Sequence, residues 1–134
     1  MQPNLQKGSI LLVEDDPDIR ESIRILLEYE GYDTYLAQNG EEAMRLLDTA
    51  TPRPCLILLD VFMPVMNGFE FLSAMNRERK DIIAALPVII LTAGQPDHET
   101  VKSARALASG LIKKPIDLDL LLRTVSDLCH KKSI

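Results

Sequence analysis

The stretch LILLDVFMPVMNG, residues 56–68, decides the fold of this chain. A run of four apolar residues leads directly into Asp60, and a short loop with a proline and an Asn-Gly pair follows. A carboxylate that is buried without a partner destabilises a fold by several kcal/mol. We therefore expect Asp60 to lie just beyond the buried part of a strand, beside charged groups that the rest of the chain supplies.

The length and composition fit a single domain. The chain has 134 residues, of which 46% are hydrophobic and 26% are charged. The net charge of −5 argues against direct nucleic-acid binding. No segment has the roughly 18 apolar residues that span a bilayer, and the N-terminus has no signal-type apolar run. Cys55 and Cys129 are far apart in sequence and lack metal-ligand spacing, which indicates reduced cysteines and a cytoplasmic location.

Strand-like and helix-like runs alternate along the chain. Ile19, Ile23 and Leu27 illustrate the helical spacing in the first amphipathic run. The strand-like runs are Ser9–Val13, Tyr32–Gln38, Cys55–Asp60, Leu86–Gly94 and 111–113. The helical runs are 16–31, 39–50, 67–79, 96–110 and 117–132. Strict alternation predicts a parallel sheet with helices on both faces.

Polar side chains stand at the carboxyl ends of four predicted strands, where functional groups of such sheets gather. They are Glu14 and Asp15, Asp60, Thr92, and Lys113 with Lys114. At about 4 Å, two like charges repel by on the order of 4 kcal/mol at an effective dielectric near 20. Three clustered carboxylates therefore indicate a hard divalent cation, Mg²⁺ or Mn²⁺. With a lysine and a hydroxyl nearby, the predicted site suits a transferred phosphoryl group.

Each of these residues has a simpler explanation when it is taken alone. Acidic residues before Pro17 are typical of a helix N-terminus, and Asp60 could cap a loop. Thr92 is a common strand residue, and Lys114 could be a solvated surface lysine. The joint arrangement at one sheet edge is what favours a functional site.

Four ordered motifs resemble the receiver domain of the two-component response-regulator family. They are ILLVEDD at 10–16, LILLDVFMPVMNG at 56–68, VIILTAG at 88–94 and LIKKP at 111–115. The resemblance spans residues 8–132 and leaves 1–7 as an N-terminal extension and 133–134 as a tail. It implies an α/β, flavodoxin-like, doubly wound (βα)5 sandwich with strand order 2-1-3-4-5.

The resemblance also implies roles for individual residues. Asp60 corresponds to the phospho-accepting aspartate. Glu14 and Asp15 correspond to the acidic pair near the metal, with Asp15 a direct ligand. The backbone carbonyl of Phe62 corresponds to a further metal ligand. Thr92 is then the switch hydroxyl.

By the same resemblance, Lys114 is the lysine that pairs with the phosphate, and Lys113 is the adjacent alternative. We expect the Lys114–Pro115 bond to be cis, since the chain has to aim the lysine at the phosphate and then turn into a helix capped by Asp117.

Three positions depart from the family pattern. Leu111 stands where the family often has an aromatic switch residue. Phe62 and Gly94, two residues after Asp60 and Thr92, bring no polar side chain to the route of hydrolytic water. We therefore expect the loop of residues 92–97 and the helix after it, rather than Leu111, to carry most of the response to phosphorylation.

The function that these expectations favour is a signalling module rather than an enzyme. A histidine kinase or histidine phosphotransfer domain would phosphorylate Asp60 and thereby switch binding to an output protein. Because almost nothing follows Lys132, we expect this output to be a separate protein, unless the chain is part of a longer one. Only Mg-dependent self-phosphorylation and self-dephosphorylation are expected, in a monomer or weak dimer.

Two rival functions use the same fold. A Mg-dependent phosphohydrolase with Asp60 as nucleophile often has a second aspartate two residues later, where this chain has Phe62. A flavin-binding module would need a phosphate-accepting loop after the first strand, but the sequence there is EDDPD, which repels phosphate in the absence of a cation.

Overall fold

The computed structural model of the chain describes residues 7–94 and 98–129. Within these ranges, the structure has five strands and six helices, and two of the helices follow each other directly between the third and fourth strands. The strands are β1 (Ser9–Val13), β2 (Asp33–Ala37), β3 (Leu56–Asp60), β4 (Val88–Thr92) and β5 (Gly110–Lys113). The helices are α1 (Pro17–Tyr29), α2 (Gly40–Thr49), α3 (Gly68–Glu78), α4 (Lys80–Ala84), α5 (Glu99–Ala106) and α6 (Leu118–Leu128).

The strands form one parallel sheet in the order β2-β1-β3-β4-β5. This confirms the predicted flavodoxin-like, doubly wound arrangement. The strand order reverses between β1 and β3, which pair with Leu12 opposite Leu58. In sheets of this kind, ligands bind beyond the carboxyl ends of the strands at such a reversal. The residues that follow β1 and end β3 therefore lie where a site is expected.

An apolar layer covers each face of the sheet. Ile57 and Leu59 of β3 belong to the layer that contains buried residues of α2, α3, α4 and α5. Leu56 and Leu58 belong to the opposite layer, which contains buried residues of α1 and α6. All four side chains are fully buried. Because both faces are covered, the central strand is continuously apolar until its last residue, Asp60.

The helices begin at the caps that the sequence predicts. The carboxylate of Asp16 accepts hydrogen bonds from the backbone N–H groups of Asp18 and Ile19, and Pro17 opens α1. Asp117 caps α6 in the same way. Gly31 follows the end of α1 with φ of +100°, a conformation that glycine adopts more readily than other residues.

Three helical boundaries differ from the prediction. Helix α4 was not predicted, because five residues are too few to show a helical period. The run predicted from Pro96 to Gly110 becomes helical at Glu99 and ends at Ala106, because Gly110 already belongs to β5; residues 95–97 lie outside the described residues. Helix α6 ends at Leu128, with Cys129 as its C-cap; residues 130–132 of the predicted run also lie outside the described ranges.

The expectation for the two cysteines is wrong. Cys55 and Cys129 are 74 residues apart in sequence, but their Cα atoms are 5.2 Å apart and their sulfur atoms are placed as a disulfide. The parallel topology brings the start of β3 and the end of α6 to the same sheet edge, which sequence spacing alone does not reveal. Among the helices of the described ranges, none has the length and apolar character that a bilayer crossing requires.

Candidate functional site

The end of β1 supplies two acidic side chains. Glu14 is fully buried and Asp15 is half-buried. The Glu14 carboxylate accepts a hydrogen bond from the backbone N–H of Asp16 (3.2 Å). The guanidinium of Arg20, one turn into α1, donates to the backbone carbonyl of Glu14 (2.8 Å) and lies 3.5 Å from that of Asp15. Arg20 thus holds the loop that carries both acids.

The end of β3 supplies Asp60, whose residue surface is only 4% exposed. The backbone N–H of Phe62 lies 3.4 Å from its carboxylate, which is a long hydrogen bond. The chain turns back closely after this point: a Cβ on Gly68 would lie 2.7 Å from the Asp60 carbonyl oxygen. Asn67 and Glu70 form a capping box at the start of α3, which fixes the far end of the loop.

The ends of β4 and β5 supply a hydroxyl and an ammonium group. Thr92 is fully buried, and its hydroxyl oxygen accepts a hydrogen bond from the backbone N–H of Gly94 (2.9 Å). The backbone N–H of Lys114 donates to the Thr92 carbonyl (2.8 Å), which ties the two strand ends together. The Lys114–Pro115 peptide bond is cis, as predicted.

Lys114 is the lysine that enters the acidic cluster. Its ammonium nitrogen lies 2.8 Å from Oε1 of Glu14 and 3.5 Å from Oδ2 of Asp60. Lys113, one residue earlier, is exposed. Successive residues at the end of a strand point to opposite sides, so only one of the two lysines can reach this pocket.

The cluster has excess negative charge. Single carboxylate oxygens of Glu14, Asp15 and Asp60 all lie within 4.8 Å of one another. Oε1 of Glu14 is buried and accepts no hydrogen bond of good geometry from the described residues, although the Lys114 ammonium is close to it. When all three carboxylates are ionised, one lysine cannot balance their charge. A divalent cation with oxygen ligands fits both the charge and the under-coordinated carboxylate oxygen.

The acidic cluster shifts the pKa values of Asp60 and Lys114. Burial and the nearby charge of Glu14 raise the pKa of Asp60 to about 8, against the opposing effect of Lys114. Burial alone would lower the pKa of Lys114, but its close ion pair with Glu14 and the charge of Asp60 outweigh burial and raise that pKa. The ammonium group of Lys114 therefore stays charged, whereas the ionised form of Asp60 is disfavoured by its surroundings.

Phe62 and Gly94 form one wall of the site. The Phe62 ring is 42% exposed and packs edge-on against the His98 ring, with 5.2 Å between centroids. A Cβ on Gly94 would lie 2.6 Å from the Phe62 ring and 3.2 Å from the Thr92 hydroxyl. The absence of a side chain at residue 94 thus leaves room for this ring beside the site.

The structure brings together four of the predicted side chains, those of Glu14, Asp15, Asp60 and Lys114. Thr92 lies at the adjacent strand end, one residue beyond Leu91, the register partner of Asp60. Sequence reasoning did not identify Arg20. Its only signal is its position one turn after Asp16, where a side chain can reach back over the helix N-terminus.

The fold and the site together define a class of protein. Its members are doubly wound α/β domains with an acidic pocket, bridged by a lysine, at the point where the strand order reverses. The family model for the response regulator receiver domain matches residues 10–126. The chain belongs to this family, which is a signalling domain of two-component systems.

Individual relatives agree with this assignment. The transcriptional regulatory protein CrdR of Helicobacter pylori is 43% identical over 84% of this chain and 50% of its own length. A signal receiver domain of a histidine kinase from Syntrophus aciditrophicus is 35% identical, with a TM-score of 0.80 over 95% of this chain and 96% of its own. The response regulator TrrA of Thermotoga maritima, solved with Mg²⁺ and BeF, is 31% identical, with a TM-score of 0.75 over 90% of this chain and 98% of its own. The chain spans about half the length of CrdR and of the response regulators MprA and SaeR, which it also matches.

Proposed function

We propose that this chain accepts a phosphoryl group on Asp60 from a phosphohistidine of a histidine kinase or histidine phosphotransfer domain, and that the modified domain switches its binding to a separate output protein. The observation that carries this proposal is the position of Lys114, whose ammonium group bridges Glu14 and Asp60. A fixed cation beside a carboxylate nucleophile prepares the pocket for the oxygens of an incoming phosphoryl group.

In the proposed transfer, a carboxylate oxygen of Asp60 attacks phosphorus. The P–O bond forms while the P–N bond to the donor histidine breaks, and the imidazole nitrogen keeps the electron pair and takes a proton. Lys114 pairs with one of the phosphoryl oxygens, and the Thr92 hydroxyl turns to donate to another. Asp15, Asp60 and the backbone carbonyl of Phe62, beside Glu14, would hold Mg²⁺ or Mn²⁺, and the ion would supply positive charge to the remaining phosphoryl oxygens.

Labelling by a small phosphoryl donor tests the acceptor. The full chain is incubated with acetyl phosphate and Mg²⁺, and intact-mass spectrometry follows the added phosphoryl group. We expect a single addition that is lost in Asp60→Asn and on chelation. Asp33→Asn changes an exposed aspartate at the start of β2 and serves as the matched control that keeps full labelling. Undiminished labelling of Asp60→Asn would refute the acceptor assignment, and repeated turnover of the donor would favour a phosphohydrolase.

This chain has a surface next to the site on which the donor protein would dock. A mainly apolar groove runs between α1 and the start of α6, and Ile19, Ile116 and Leu118 line it together with Lys114. Leu118 is 48% exposed although it is apolar. A helix seated in this groove would lie beside the lysine of the acceptor pocket, and an amphipathic helix binds such grooves through its apolar face.

A pair of substitutions on one helix tests the docking surface. Leu118→Glu changes the groove, whereas Leu120→Glu changes a residue of the same helix that is 40% exposed and does not line it. The assay is transfer from autophosphorylated histidine kinases of the source genome at short times. We expect Leu118→Glu to slow transfer at least about tenfold, a change of 1.4 kcal/mol, while acetyl phosphate labelling stays unchanged. Equal effects of the two substitutions would contradict this docking surface.

A further inference from the structure

The pair formed by Cys55 and Cys129 lies outside the phosphoryl site. Cys55 immediately precedes β3, and Cys129 caps the C-terminal end of α6. Their Cα atoms are 5.2 Å apart, inside the range of about 4.4–6.8 Å that disulfides occupy. The backbone thus needs no movement to join them.

The surroundings of the pair suit both an oxidised and a reduced form. The backbone N–H of Cys55 donates to the Ser9 carbonyl (2.8 Å), which fixes the start of β3 against β1. The same carbonyl oxygen lies 3.2 Å from the Cys55 sulfur, so a Cys55 thiol has an acceptor ready for its proton. Gly8 packs over the pair: a Cβ there would lie 2.9 Å from the Cys55 sulfur and 3.3 Å from that of Cys129.

The two cysteine residues differ in their exposure to solvent. Cys129 is only 4% exposed, whereas Cys55 is half-buried. A small reagent therefore meets Cys55 first, and Cys129 lies behind it as the residue that resolves the intermediate. This division of roles is the arrangement in which a dithiol forms an internal bond rather than two separate adducts.

We propose that Cys55 and Cys129 form a reversible thiol–disulfide site whose co-reactant is a low-molecular-weight disulfide such as glutathione disulfide. The Cys55 thiolate attacks one sulfur of that disulfide, forms a mixed disulfide and releases one small thiol. The Cys129 thiolate then attacks the Cys55 sulfur, forms the internal disulfide and releases the second small thiol. Two electrons and two protons thus pass from the dithiol to the small disulfide, which becomes two small thiols, and excess small thiol reverses both steps.

The internal bond has its main effect on the stability of the domain. It links residues 74 apart, so it restricts the unfolded chain strongly and is expected to raise the unfolding midpoint by on the order of 10 °C. It also attaches the end of α6 to the sheet edge opposite Asp60, because Cys55 and Asp60 lie at opposite ends of β3. The chemistry of Asp60 should therefore proceed in both redox forms.

The full chain equilibrated with excess reduced or oxidised glutathione provides the test. Non-reducing peptide mapping by mass spectrometry identifies the bond, and thermal unfolding measures its effect. We expect a Cys55–Cys129 cross-linked peptide and the higher midpoint only in the oxidised sample. In Cys129→Ser, Cys55 should carry a single glutathione, and the redox-dependent midpoint shift should disappear.

Three outcomes would overturn the proposal. The first two are two free thiols and two separate glutathione adducts in oxidised wild-type protein. The third is the same midpoint shift in wild type and Cys129→Ser. The proposal does not rest on the phosphoryl-acceptor function. Acetyl phosphate labelling of Asp60 in the same samples reports on that function separately, so failure of one leaves the other measurable.

Discussion

The charge of Asp60 should destabilise the metal-free domain, and Asp60→Asn should relieve this effect. In the folded protein the pKa of Asp60 is raised to about 8 by burial and by Glu14, whereas an aspartate in an unfolded chain has a pKa near 3.9. Between these two values the folded state binds the proton more strongly than the unfolded state. The contribution of Asp60 to stability therefore falls as the pH rises from about 4 to about 8.

The size of the effect follows from the same shift. About four pKa units at about 1.36 kcal/mol each set an upper limit of about 6 kcal/mol. The shift is shared with Glu14 and Lys114, and an asparagine amide at this position loses the ion pair with Lys114. We therefore expect Asp60→Asn to raise the free energy of unfolding by about 1–3 kcal/mol near pH 8 and by much less near pH 5.

Urea unfolding with a chelator present, at about pH 5 and about pH 8, measures the change in the free energy of unfolding at each pH. Asp33→Asn is the control, and its stability should stay within about 0.5 kcal/mol of wild type at both pH values. Adding Mg²⁺ should stabilise wild type more than Asp60→Asn, since the substituted side chain has lost its charge. A gain that is equal at both pH values, or a variant less stable than wild type near pH 8, would refute the electrostatic reasoning.

The other predictions concern the loops around the site. Val65 has φ of +69° and is 74% exposed, so Val65→Gly should raise the free energy of unfolding by about 0.5–1 kcal/mol, as strain relief exceeds the added freedom of the unfolded chain; a less stable variant in urea melts would contradict this. Gly94→Ala should destabilise by about 1–2 kcal/mol through its clash with the Phe62 ring, and a double-mutant cycle should show that Phe62→Ala removes most of this penalty. With Mg²⁺ and beryllium fluoride, NMR shift changes should be larger at Thr92 than at Leu111; the reverse order would place the coupling in the adjacent strand.

Much of the fold was predictable because its signals are local. The apolar run of β3 and the caps Asp16 and Asp117 lie within a few residues of the elements that they define, and alternation of elements fixes the parallel sheet. The pairing of Cys55 with Cys129 was not predictable in this way. It depends on where two distant chain segments meet, and neither segment carries a local signal of the other.

The site was predictable to a similar depth, and for a related reason. Strand ends could be read from the sequence, and the topology rule places them at one edge, so Glu14 and Asp60 could be grouped. Choosing between Lys113 and Lys114 required knowing which side of the sheet each side chain points to at the end of β5. A shift of one residue reverses that side, and the sequence pattern does not fix it. Arg20 was missed because its partners are backbone carbonyls, which have no sequence signature.

The apolar layers on both faces of the sheet support the acidic pocket at its edge. Asp60 ends a strand whose other four residues are fully buried between two apolar layers, so the strand end itself is held firmly in place. That rigidity keeps three carboxylates close together in spite of their repulsion, with Arg20 and Lys114 holding the loops that carry them. Without such support the carboxylates would separate into solvent, and the pocket would lose its affinity for a cation. The repulsion therefore suits the pocket to a cation: an entering cation finds the carboxylates already positioned, and its binding relieves a repulsion that the apolar layers otherwise sustain.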